Sequence, residues 1–162
     1  MEVYQGKSDF IAVCFAKEDR STAEALIAKL QEECLRVWSS ERGCNVKKKD
    51  DAARFAECRT ALILISKDWL ESETCAMQLR AAAEQDKAYV LLFLGGANLM
   101  GKEDLRMLLS RSARMIDYAP DDASACTEEL LGLECITDCR MAEGEAPDLK
   151  KTGLWDILNR EI

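Results

Sequence analysis

The chain has 162 residues, enough for one domain with a substantial core and too few for two, and its formal net charge of -8 argues against nucleic acid or an anionic membrane as main partner, because both demand a basic surface. Its balance of 48% hydrophobic and 32% charged residues belongs to a globular protein and not to a disordered or fibrous one. It has no histidine, which excludes a Ser-His or Cys-His nucleophilic relay.

Apolar runs bounded by polar turns alternate along the chain with segments of helical spacing, the pattern of an α/β domain with a mostly parallel sheet. The stretch "FIAVCF" (residues 10–15) predicts a first buried strand. Ser21 then caps a helix over 21–34, with Ala23, Leu26, Ile27 and Leu30 on one stripe. A short strand "LRVW" (35–38) leads through a polar loop to a helix over 50–57, and "ALILIS" (61–66) is the clearest strand. A helix over 71–85, a strand "YVLLFL" (89–94), a turn-rich connector, a short helix over 103–109, a weak strand "RMIDY" (114–118) and a helix over 121–133 complete the order. Five strands in this alternation fit a flavodoxin-like parallel sheet with helices on both faces, whose ligand crevice lies beyond the carboxyl ends of the strands. We divide the chain into a domain over 1–134 and an extension over 135–162 that packs on it or trails from it, with "LWDIL" docking Trp155.

No apolar run approaches the ~20 residues of a membrane span, and "MEVYQGKSDF" lacks the basic start and apolar stretch of a leader, so a cytoplasmic location is expected. The eight cysteines are scattered and read as reduced, mostly buried thiols. Cys126, Cys135 and Cys139 are three thiolates in search of a fourth ligand, with no histidine and no tight CxxC pair, so no metal site is expected. Phosphate-binding glycine loops are absent. Glu18, Asp19 and Asp68 would suit a phosphate-accepting receiver domain, but they stand several residues past the strand ends. An acid pair beside Arg20 reads more simply as the solvated start of a helix.

The order of short signatures resembles the Toll/interleukin-1 receptor (TIR) domain family. "IAVCFAKED" stands where that family has a first strand ending in a serine-tyrosine-serine box and an acid, and "LRVWSSERG" resembles its second strand. In "CRTALILISKDWLESETCAMQLRAA", Cys58, Ser66, Trp69, Leu70, Ser72 and Cys75 stand in register with its third strand and next helix. The stretch from "VLLFL" to "RMIDY" resembles bacterial members, and the likeness covers residues 9–133.

The resemblance implies domain-to-domain association, with self or heterotypic TIR partners and possible homo-oligomers, and it brings NAD cleavage into consideration as an activity. In the family a glutamate three residues after the cysteine supplies the carboxylate for that cleavage; here the position is Gln78. Phe15, Ala16, Ser40, Glu41, Ser72 and Cys75 are the corresponding crevice residues. The hydroxyl box has become Cys14, Phe15 and Ala16, an expected aspartate is Ser40, and a common tryptophan is Lys49. The expectation is therefore an inactive relative of the NAD-cleaving members that needs no cofactor, with NAD as a possible ligand, and contact surfaces over 39–49 and on the helix from Glu71. The alternative is an NAD glycohydrolase or cyclase with an atypical site, though Glu41 and Glu84 lack the register to replace the missing acid. Gln78 also admits a plain reading as a polar residue on an exposed helix face, Cys75 as a small buried residue, and Trp38 and Trp69 as packing.

Overall fold

The computed structural model describes residues 2–40, 48–95, 97, 101–145 and 149–151. Among them, five strands form one all-parallel sheet in the order β3-β2-β4-β5-β6: β2 (Ile11–Cys14), β3 (Val37–Trp38), β4 (Thr60–Ile65), β5 (Ala88–Phe93) and β6 (Arg114–Asp117). β4 is buried at all six residues because helices cover both faces, which is why its sequence is a continuous apolar run and not an alternation. Its side chains divide in turn: Ala61, Ile63 and Ile65 enter one core, and Leu62 and Leu64 the other. Each fully buried leucine or isoleucine of this kind contributes roughly 1.5–3 kcal/mol relative to exposure.

On one face the core is closed by α2 (Lys49–Glu57), α3 (Lys67–Glu71), α4 (Glu73–Glu84) and α5 (Glu103–Ser110), through Phe55, Trp69, Leu79 and Leu105 among others. On the other it is closed by α1 (Arg20–Glu32), α6 (Ala123–Leu131) and the short α7 (Glu134–Thr137), through Leu26, Leu30, Leu130 and Ile136. This is the flavodoxin-like arrangement. No described helix is long and apolar enough to cross a membrane.

Four details differ from the sequence reading. The helix expected over 71–85 is α4, but a separate short helix that the sequence reading did not give, α3, precedes it; Ser72 lies between the two, and its hydroxyl accepts from the Cys75 amide at 3.2 Å to start α4. The strand expected over 35–38 is regular only at Val37–Trp38, because its first half turns outward: Leu35 bridges Arg140 and the Arg36 amide donates to the Cys139 carbonyl at 2.8 Å. The helix expected to run to residue 34 ends at Glu32, and Cys34 takes a left-handed conformation (φ 62°). An additional two-stranded antiparallel sheet pairs β1 (Glu2–Tyr4) with β7 (Leu149–Lys151).

Two arginines fasten this outer layer. Arg36, 8% exposed at its side chain, donates to both carboxylate oxygens of Glu145 (2.7 and 2.6 Å) and to the Asp9 carbonyl (2.9 Å). Arg54 donates to the Tyr4 and Gly6 carbonyls and lies over the Phe10 ring, 3.9 Å from its centroid. Of the described cysteines, Cys14, Cys58, Cys75, Cys126 and Cys139 are buried. Burial pushes Cys126 up to about 11 and Cys139 to about 12, so both are protonated at neutral pH. Cys44, Trp155 and most of the 39–49 loop lie outside the described residues.

Candidate functional site

The chain leaves β2 to build β3 on one side and β4 on the other, so the carboxyl ends of β2 and β4 flank the point where a parallel sheet of this order opens a crevice. β2 runs into Phe15, Ala16 and a single 3-10 turn, Lys17–Asp19. β4 runs into Ser66, the N-cap of α3, whose hydroxyl accepts from the Trp69 amide at 3.0 Å. That hydroxyl also donates to the carboxylate of Asp19. Asp19 precedes α1 without capping it, its side chain reaching across the crevice instead.

Glu18 is exposed at the start of a helix, as expected, whereas Asp19 departs from that expectation. Asp19 is half-buried, and burial, more than any other cause, pushes its carboxyl above the usual range; the Ser66 hydrogen bond opposes this, while Asp68 and Glu18 reinforce it. Three acids thus gather over the ends of β2 and β4. Because the folded state holds the Asp19 proton more tightly than the unfolded chain, folding is favoured at low pH, and the advantage is lost as pH rises through the folded value. Asp19→Asn keeps an acceptor for Ser66 and removes the repulsion. Thermal melts across pH 4–8 should show the variant at or above the natural protein at pH 7, the gap closing toward pH 4.

The Gln78 side chain lies on the inward stripe of α4 with Cys75, Leu79 and Ala82 and is 1% exposed, which overturns its reading as an exposed polar residue. Among the described residues its Oε1 has no hydrogen-bond partner, as is true of Trp69 Nε1 and Ser39 Oγ. Ala16 and Cys75 share the core beneath α4, whereas Phe15 points to the opposite face and packs under α1. Ser72 is spent on capping α4, and Ser40 is half-buried just past β3. Trp38 and Trp69 pack, as expected, within the same core. Glu41 lies outside the described residues, and Glu84 is exposed on the outward face of α4, away from Gln78.

Sequence reasoning gave Asp19 too little weight. The signal was present: an acid after the first strand and a serine ending the third are brought side by side by neighbouring parallel strands.

No curated protein matches the chain significantly. A sequence model of the TIR domain matches residues 11–131, from the first residue of β2 to the last of α6. With that match covering most of the chain and the parallel sheet in the corresponding order, the chain belongs to the TIR domain family.

Proposed function

We propose that this TIR domain acts as a signalling and interaction module, associating with its own copies or with other TIR domains, and that its crevice does not cleave NAD. The observation that carries this is the buried neutral amide of Gln78, at the position that the family resemblance matches to the carboxylate of the NAD-cleaving relatives. When the bond between nicotinamide and ribose breaks, positive charge grows on the sugar, and a fixed anion beside it lowers the barrier. A neutral amide accepts hydrogen bonds but opposes no such charge, and loss of one well-aimed electrostatic partner typically costs ~10²-fold or more in rate.

The residues do not fit an NAD-cleaving site. Gln78 and Ser39 each keep an acceptor without a partner, yet they are 1% and 0% exposed and offer those atoms to the core instead of to a ligand. Cys14, Phe15 and Ala16 bring no hydroxyl. No catalytic step follows from these side chains.

A second reading rests on Asp19, whose carboxylate stands over the crevice beside Ser66. In that reading Asp19 supplies the missing anion. Incubating concentrated protein with NAD separates the two. No nicotinamide is expected from the natural sequence; release that disappears in Asp19→Asn would overturn the proposal and establish the second reading.

A further inference from the structure

The chain that follows α6 is held against the sheet through the backbone of two cysteines. The Cys135 carbonyl accepts from the Thr60 hydroxyl at the start of β4, and the Cys139 carbonyl accepts from the Arg36 amide just before β3. Both side chains are thiols. They are close. Cys135 lies in α7 and Cys139 directly follows its C-cap, Asp138, so four residues of helical rise put their Cα atoms about 6 Å apart, inside the roughly 4.4–6.8 Å that a disulfide spans. The Cys139 thiol donates to the Cys135 carbonyl at 3.6 Å, which sets its sulfur against the very residue it would join.

Exposure divides the pair. Cys135 is half-buried and reachable from solvent, whereas Cys139 is 0% exposed. Burial above all, then Asp9, pushes Cys139 up to about 12; Cys135 adds a little to the rise, and Arg59 and Arg36 oppose it. Bonding the two sulfurs also has a geometric cost. Residues four apart on a helix hold their Cβ atoms about 5–6 Å from each other, and a disulfide needs roughly 3.5–4.5 Å. The turn must therefore tighten by about 1 Å or more, and the carbonyls that hold Thr60 and Arg36 move with it.

We propose that Cys135 and Cys139 are a dithiol oxidised by small-molecule disulfides, and that closing their bond releases this segment from β3 and β4. The Cys135 thiolate attacks the oxidant, forming a mixed disulfide and expelling one thiolate. Cys139 then gives up its proton and attacks the Cys135 sulfur, expelling the second. The protein loses two electrons and two protons, and the oxidant becomes two thiols. Because Cys139 is sealed, the second step proceeds through molecules in which the segment has opened.

Treating the full chain with glutathione disulfide and mapping its peptides without reduction tests the assignment. The tryptic peptide 115–140, which holds both cysteines, should lose two hydrogens and regain them in dithiothreitol. Hydrogen exchange at the Arg36 and Met141 amides should quicken at least about tenfold in the oxidised form. Cys135→Ser alters a half-buried side chain and should show neither change. The same peptide carries Cys126, so Cys126→Ala is treated in parallel and should oxidise as the natural protein does. Circular dichroism of the reduced variants checks the fold. No oxidation, a reaction that stops at the glutathione adduct, a bond that needs Cys126, or one that persists in Cys135→Ser overturns the pair. A Cys135–Cys139 bond that leaves exchange at Arg36 and Met141 unchanged overturns the release.

Discussion

Replacing Gln78 by glutamate is expected to destabilise the protein at neutral pH by about 2–4 kcal/mol, and the loss should fade on acidification. The side chain is 1% exposed, packed beside Cys75, Leu79 and Ala82, and its Oε1 already lacks a partner. A carboxylate there is desolvated by burial, so its folded pKa rises above the unfolded value of about 4.3. The neutral acid is tolerated below that value, and the charge is penalised as pH climbs. Melts at pH 4 and pH 7 measure the difference directly. The comparison variant Gln78→Leu removes an orphaned acceptor and should be close to neutral or stabilising. If Gln78→Glu melts like the natural protein at pH 7, the side chain faces water and the argument from a sealed amide fails. The surroundings of Gln78 thus favour a neutral side chain.

Arg36→Ala should be the other strongly destabilising change. It removes three hydrogen bonds at 2.6–2.9 Å, two to Glu145 and one to the Asp9 carbonyl, and it uncovers the Tyr4 ring, whose centroid lies 5.9 Å from the guanidinium. The Glu145 carboxylate left behind keeps access to solvent, so the loss is smaller than for a fully buried pair and falls mainly on the ordering of Arg36 against Asp9 and Tyr4. The Arg36 guanidinium, above all through its hydrogen bonds, holds the Glu145 carboxyl below the usual 4.5. The sign follows: the stabilisation is fully present above about pH 4.5 and lost as pH falls through the lower folded value. The natural protein should therefore lose melting temperature between pH 5 and pH 3 more steeply than Arg36→Ala. Parallel slopes would show that the pair contributes little.

The legible parts of the fold were those whose sequence pattern has a local cause. β2, β4 and β5 could be read because burial on both faces forces continuous apolar runs. β1 could not, since three residues at one end of the chain become a strand only by pairing with three near the other. Two serines, Ser66 and Ser72, cap α3 and α4 in turn, yet only α4 could be read, because the five residues of α3 are too few to show a helical period. The inward position of Gln78 was legible too: Cys75, Gln78, Leu79 and Ala82 follow the i, i+3, i+4, i+7 spacing of a buried stripe. The Asp19–Ser66 contact was not, because it depends on which strands become neighbours and not on anything local to either residue.

Residues 135–141 join strands that the sheet itself keeps apart. The Thr60 hydroxyl of β4 donates to the Cys135 carbonyl at 2.6 Å, the Arg36 amide just before β3 donates to the Cys139 carbonyl at 2.8 Å, and the Met141 amide donates to the Cys34 carbonyl at 2.8 Å. One late segment thus ties the amino ends of the two strands that flank β2, and loosening it frees both ends together.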